Sequence, residues 1–375
     1  MHPWLLHRQI DLVAFEELCL FMFRDDNLYR IVVPENTKNQ SLAAVTKRIR
    51  EGGHPPSPVT PQNVECVTSA RYGVFVFLHH LWQRRIPFTV LDIGSFVGTF
   101  GLKVASCART FGEQTAVITF DPTEAGALIN YNIELNGLSN WVRYEELAVA
   151  EADGLVMFDY RPGYSDSSSV RGERAALVPT RRFRQKLRSL VEQPLGSVTR
   201  HVRARLMEGG CRAGNRPPVT CNFIGRSTNI RNYLLRNGIE SDLFVKIDIE
   251  GLDPLVVDQL TALLPERRVS IVFEFAPGHF ERHDAPQDLL AMISDKYHVF
   301  DIFYSPNPTR FRLIQPDQFS SLEADVRWKR RYGYTDLFLL DKRTPECAEL
   351  VNRLASLREL PDAYWLAWPP GADGL

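Results

Sequence analysis

Apolar runs of strand length recur along this chain, at Phe88–Asp92, Ala116–Asp121, Val142–Val149, Leu243–Ile249 and Val269–Phe275. Helical stretches separate them: Phe96–Arg109, then Glu124–Asn136, which stops at the C-cap signal Asn136-Gly137, and about 254–264. A further helix (Ala70–Arg84) precedes the first run, and a helix (Leu289–Lys296) and two strands (Val299–Tyr304, Thr335–Asp341) complete the pattern. Strands that alternate with helices pair in parallel and are buried on both faces, so they read as continuous apolar runs instead of alternating ones. The pattern therefore predicts an α/β fold built on a mostly parallel sheet.

Three segments stand outside this rhythm. Residues 1–63 read as a helical and linker region that ends in G-G-H-P-P-S-P-V-T-P, where four prolines exclude a regular helix. The αβ domain spans 64–342, and 343–375 follows as a tail. Between about 160 and 221 an insert breaks the domain. From 171 to 216 it holds twelve Arg or Lys against three Glu, a net charge of +9. Within it Phe183, Leu187, Leu190 and Val191 fall at helical spacing among basic residues, the pattern of a basic amphipathic helix that is either a solvated packing element or a docking face for an anionic or carrier-bound ligand.

The formal charge of the whole chain is only −1, so no overall field draws it to nucleic acid or to a membrane surface. The six cysteines are scattered, none in C-x-x-C and none at zinc-finger spacing with histidine, which points to reduced thiols in a cytoplasm and to no structural metal. Neither a signal peptide nor an apolar run of membrane-spanning length is present. His279 and His283 form H-x-x-x-H, but Pro277-Gly278 precedes them and no third ligand is evident. A homodimer is compatible with this composition.

The first central run ends in V-L-D-I-G-S-F-V-G, Val90 to Gly98. Ligands of parallel αβ sheets bind beyond the carboxyl ends of the strands, and glycines there let the backbone approach them. The dinucleotide fingerprint is G-x-G-x-x-G, yet here Asp92 stands in the first glycine's place. A carboxylate at a helix N-terminus repels a pyrophosphate and suits a cationic ligand. S-adenosyl-L-methionine (SAM), with its sulfonium and α-amine, fits that requirement. The next strand ends in Asp121-Pro122, an acid placed to accept hydrogen bonds from ribose hydroxyls, as in both SAM and nicotinamide enzymes.

Taken in order, V-L-D-I-G-S-F-V-G-T-F, F-D-P, N-I-E-L-N-G-L-S-N (132–140), A-V-A-E-A-D-G (148–154), F-V-K-I-D-I-E-G (244–251) and V-F-E-F (272–275) resemble the FkbM-type SAM-dependent methyltransferases over about 64–160 and 222–341. The resemblance implies a Rossmann-like class I methyltransferase fold: a seven-stranded, mostly parallel sheet whose last strand runs antiparallel. It also implies O-methylation of sugars, polyketides or other natural products. Gly94, Ser95, Phe96 and Gly98 would admit the methionine moiety, with Asp92 on its amine or sulfonium side. Asp121 and Pro122 would lie at the ribose, and Glu146 and Ala148 beside the adenine. The chain departs from the family's pattern at Ser95-Phe96, at Asp121 in place of a glutamate, and at Ala276-Pro277.

Lys246, Asp248 and Glu250 alternate along one strand, so they share a face and converge on its carboxyl end. Methyl transfer needs a positioned nucleophile and a proton acceptor. Asp248 is the first candidate to contact the acceptor hydroxyl and take its proton, and Glu250 the second. Lys246 would orient these acids, and Glu274 would bind substrate or pair with Lys246. N-methylation of an amino sugar or peptide, a SAM-binding module without catalysis and a nicotinamide dehydrogenase are the alternative readings.

Overall fold

The computed structural model describes residues 72–96, 98–123, 126–160, 169–170, 221–249, 251–277, 293–302, 311–329 and 334–356. The expected N-terminal region, nearly all of the basic insert, Glu250, His279 and His283 lie outside the described residues.

Strand β1 (Phe88–Ile93) is buried along its whole length, which explains its unbroken apolar sequence. It pairs in parallel with β2 (Ala116–Phe120) on one side and β8 (Asp242–Ile247) on the other. The full order is β11-β10-β12-β9-β8-β1-β2-β3. From β1 the chain proceeds through α2 (Thr99–Phe111), β2, α3 (Gly126–Leu135) and β3 (Val142–Glu145) toward one edge. It later returns to the far side of β1 with β8, α5 (Asp253–Thr261) and β9 (Val269–Phe275). The order in which strands are added thus reverses between β1 and β8, the kind of switch point that opens a crevice at the carboxyl ends of parallel strands.

Strand β12 (Thr335–Asp341) inserts between β9 and β10 (Tyr297–Ile302), antiparallel to both. The fold is the Rossmann-like α/β fold expected, with its antiparallel last strand. An eighth strand, β11 (Phe311–Ile314), extends the edge beyond the seven expected. On one face the sheet packs against α1 (Tyr72–Gln83), α2, α3 and α7 (Cys347–Ser356). On the other it packs against α4 (Ile230–Arg236), α5 and α6 (Phe319–Lys329). Helix α7 carries the domain past 343: Leu350, Val351 and Leu354 are buried, and His80 Nε2 sits 2.9 Å from the Pro345 carbonyl.

Several expected boundaries move, among them the end of β8, at Ile247 instead of Ile249, and the bounds of β10, at Tyr297–Ile302 instead of Val299–Tyr304. Helix α2 begins at Thr99, not Phe96, because Phe96 (φ 52°) and Gly98 (φ 84°) are both left-handed and no helix runs through them. The run Val142–Val149 is not one strand. It breaks after Glu145, where Leu147 N–H donates to the Glu145 carbonyl (2.8 Å), and β4 (Ala148–Val149) joins a second, four-stranded sheet of order β4-β7-β5-β6. There β5 (Gly154–Tyr160) and β7 (Cys221–Thr228) pair antiparallel from Gly154↔Ser227 to Tyr160↔Cys221. Strand β6 (Ser169–Val170) pairs with β5. The two strands that bracket the insert are thus locked to each other, so a long insertion departs from and returns to one place.

The apolar face carries an aromatic cluster: Phe338 touches Phe77, Phe244, Phe300 and Phe311 with ring centroids 5.4–6.3 Å apart, and its side chain is fully buried. Truncating it leaves a cavity among rings from four elements. Phe338→Ala is expected to lower the unfolding free energy by about 3–5 kcal/mol in a denaturant titration; a loss below about 1 kcal/mol would show that this core is not tightly packed.

Candidate functional site

The parallel register sets the site. Asp92 lies beside Thr119 on one side and Lys246 on the other, and Lys246 beside Val272. Residues paired across strands share a face, as do those two apart along a strand. Asp92, Lys246 and Glu274 therefore belong to one face at the carboxyl end of the sheet. Asp248, expected on the same strand as Lys246, lies just past the end of β8 at Ile247 and reaches this face through its ion pair with Lys246. Glu274 is half-buried and paired with the buried Asp336 of β12.

Asp92 has no exposed surface. Its Oδ2 accepts the amide N–H of Gly101 at 3.0 Å, and its Oδ1 faces the Lys246 ammonium at 3.7 Å. Gly101 is the third residue of α2, whose N-cap, Gly98, offers no side chain. The carboxylate thus caps the helix from the neighbouring strand, in place of the missing N-cap group and at the positive end of the helix dipole. What the structure shows of Asp92 is internal to the protein. The cap also accounts for Gly101, which the sequence pattern passes over. A Cβ there would stand 2.7 Å from Thr119 Cγ2 and 3.2 Å from Asp92 Oδ2, so only glycine lets α2 come this close.

Lys246 is buried, and among its contacts its Nζ donates to the Gly94 carbonyl at 3.0 Å and pairs with Asp248 Oδ2 at 3.1 Å and with Asp92. The expected orienting lysine thus joins the glycine turn to the acid. The Asp248 side chain is 41% exposed, in contrast to Asp92. Gly94 (φ 75°) packs against the Asp248 backbone so closely that a Cβ would lie 1.8 Å from that carbonyl oxygen. Its freedom serves the contact between two turns.

Around the turn, Gly94 and Ser95 N–H both donate to the Phe120 carbonyl (3.0 and 3.1 Å), and Gly98 N–H to the Ser95 carbonyl (2.7 Å). Asp121 is buried. Its Oδ2 accepts the Phe96 N–H (2.9 Å) and its Oδ1 the Thr123 N–H (2.8 Å) and hydroxyl (2.5 Å), an Asx turn across Pro122. Burial raises its carboxyl above the ordinary range, and these hydrogen bonds oppose that rise without cancelling it. Asp121 therefore anchors Phe96, a bulky residue in the left-handed region at a cost of about 1–3 kcal/mol. The Phe96 ring packs at the margin of the apolar core beneath, so it helps to anchor the turn. Tyr144 donates its hydroxyl to the Asp121 carbonyl at 2.7 Å.

On the other side of β2, Glu146 is exposed in the turn between the two sheets, and Ala148 is buried in β4. The acid that ends β3 is Glu145, whose Oε1 accepts the Tyr233 hydroxyl (2.8 Å) and pairs with Arg143 (3.0 Å).

One buried acid escaped the pattern reading. Asp253, first residue of α5, is fully buried; its Oδ2 accepts the Gly251 N–H at 3.0 Å and its Oδ1 lies 3.5 Å from the Ile249 N–H. Burial, with Asp248 adding to it, pushes its carboxyl up to about 7. Its sequence signal is an Asp-Pro pair at the start of a helix.

The site fits a ligand that is not anionic at the α2 N-terminus, because that end of the helix already holds a carboxylate. Comparison with known proteins finds no matching family model and no matching curated protein. Among solved structures the chain is similar to a protein from Klebsiella pneumoniae assigned as an O-methyltransferase, at 12% identity and a TM-score of 0.30 over 80% of this chain and 89% of that one. It is also similar to a protein from Listeria monocytogenes assigned as a class I S-adenosylmethionine-dependent methyltransferase, at 8% identity and a TM-score of 0.30 over 85% and 80% of the chains. Likenesses this weak carry no argument about function, which rests on the residues above.

Asp253 gives the site a pH signature. Its folded value near 7 lies above the ordinary 3.8, so between about pH 4 and 7 the unfolded chain releases a proton that the native state keeps. Its contribution to stability therefore falls as pH rises and levels off above 7. The melting temperature of Asp253→Asn is expected to gain on that of the wild type from pH 5 to 7 and to run parallel to it from 7 to 8. Parallel curves across the whole range would contradict the burial of an ionisable acid here.

Proposed function

We propose that this protein binds SAM at the carboxyl end of β1 and transfers its methyl group to a hydroxyl of a small-molecule acceptor. The observation that supports this best is the Asp92 cap. A dinucleotide fold places a pyrophosphate at the N-terminus of the helix after β1, where backbone amides and the dipole receive it. Here a fully buried carboxylate takes one of those amides and meets that dipole. A second anion at this point would face like charge in a low dielectric, whereas a ligand bearing a sulfonium and an amine would not. The ordered motifs shared with the FkbM-type enzymes support the same reading.

In this reading the 94–98 turn receives the methionine part, the Asp121-Pro122 corner the ribose, and the Glu146–Ala148 segment the adenine. Asp121 brings the ribose less than a free acid would, because both of its oxygens already accept hydrogen bonds from Phe96 and Thr123. Bound here, SAM supplies a methyl group already activated on sulfur. The chain's task is to hold the acceptor in line, exclude water and receive a proton. Asp248 is the exposed acid of the site, and the acceptor hydroxyl's proton passes to its carboxylate. Lys246 orients Asp248 and the Gly94 carbonyl together. Glu274, with Glu250 as the second acid, contacts the acceptor. An amine acceptor is the second reading, favoured by the pairing of Glu274 with Asp336, since two neighbouring carboxylates suit a protonated group. The basic insert would receive an anionic or carrier-bound acceptor, and the work would be done in the cytoplasm on natural-product intermediates of sugar or polyketide type. Among the described residues no helix is long and apolar enough to cross a membrane.

A saturating concentration of S-adenosylhomocysteine is expected to raise the melting temperature by about 5–10 °C, the shift from a ligand at roughly a hundred times its Kd. No shift on well-folded protein would overturn the reading. Once an acceptor is in hand, Asp248→Ala should lose turnover by about 100-fold or more while this shift is retained. Unchanged turnover would remove Asp248 from its role, and fragment masses of the methylated product separate hydroxyl from amine acceptors.

A further inference from the structure

Three turns meet at the crevice: the Gly94 turn after β1, the 248–251 turn after β8, and the start of α5. Asp248 N–H donates to the Ile93 carbonyl at 3.0 Å, and the Asp248 carbonyl presses on Gly94. Gly251, at φ 118°, sits where L side chains rarely go. The amides of Ile249 and Gly251 point away from the sheet's ladder, and both turn toward one carboxylate, that of Asp253.

We propose that Asp253 is a positioning residue for the cofactor turn: by gathering the Ile249 and Gly251 amides it fixes the 248–251 turn, which in turn sets where Gly94 and its carbonyl stand. The inference rests on the SAM reading for what the Gly94 turn receives, but its mechanical part does not. Each link is direct. Asp253 holds the two amides of the turn. The turn holds Gly94 through the Asp248 carbonyl, with no space for a Cβ between them. Lys246 closes the loop, since its Nζ reaches both the Gly94 carbonyl and Asp248. A displacement of the 248–251 turn therefore passes to the Gly94 turn without a flexible side chain in the path. It also moves Asp248 itself, the proposed proton acceptor. An acid is costly here, because it is fully buried with Asp248 nearby. A small apolar residue would avoid that cost and leave the two amides without an acceptor.

The test compares wild type with Asp253→Ala and Asp253→Asn, full-length, with S-adenosylhomocysteine as the calorimetric probe and amide hydrogen exchange on the free proteins. Asp253→Ala is expected to weaken binding about tenfold, the worth of a lost cap, and Asp253→Asn, which keeps one acceptor oxygen, to recover most of it. In Asp253→Ala the amides of Gly94, Ser95 and Asp248 should exchange about tenfold faster, while Val245, in the middle of β8, keeps its wild-type rate. Should Asp253→Ala not fold, the same comparison is made with Asp253→Asn, in which the Gly94 and Asp248 amides should exchange faster than they do in the wild type while Val245 keeps its wild-type rate. Unchanged exchange at Gly94 and Asp248 would overturn the proposal, as would equal acceleration along all of β8, which marks general destabilisation. If the wild type itself fails to bind the probe while the local exchange pattern is as expected, the SAM reading falls and the mechanical link stands.

Discussion

A carboxylate sealed between the central strand and the following helix organises this molecule's crevice. Asp92 caps α2 through Gly101 and is balanced by Lys246, and the closeness of that cap dictates a glycine in the third position of the helix. Removing either charge alone would strand the other in a place with almost no solvent, a loss of about 3–5 kcal/mol for a buried pair of this kind. In the proposed function the same pair decides which ligand suits the helix start. A helix N-terminus that usually welcomes phosphate is here already neutralised by the protein itself.

From that pair the other parts follow. Lys246 carries the influence of Asp92 outward to the Gly94 carbonyl and to Asp248, the acid with open access to solvent. Asp121 and Asp253 work from either flank, each gathering backbone amides of a turn: Phe96 and Thr123 on one side, Ile249 and Gly251 on the other. Three acids that the motifs suggest as ligand-binding residues, and Asp253, thus divide by burial. Asp92, Asp121 and Asp253 are buried and hold backbone, whereas the Asp248 side chain is 41% exposed.

The sheet was legible because its strands are buried on both faces, and unbroken apolar runs such as Leu243–Ile247 leave little doubt about what they form. The crevice was legible too, since Asp92, Gly94 and Lys246 sit at strand ends that the parallel pattern locates. What the sequence did not reveal depends on contacts distant along the chain. Nothing local marks the break after Glu145, because the partner of β4 is β7, nearly eighty residues later, and only the pairing Ala148↔Ser227 takes the strand out of the main sheet. Phe96 appeared to open a helix, but the amide hydrogen bond to Asp121 holds it left-handed. Asp253 looked like a helix boundary, and its burial under the 248–251 turn is a tertiary fact. Strand β11 is four residues long, too short for its pattern to be read.

The central claim is that a protein carboxylate has taken the place of a ligand's phosphates at the start of α2. Titrating the protein in a calorimeter with S-adenosylhomocysteine and, under the same conditions, with NADH tests it most directly. The account predicts saturable, one-to-one heat from the first and none from the second. Saturable binding of NADH with no response to S-adenosylhomocysteine would contradict it.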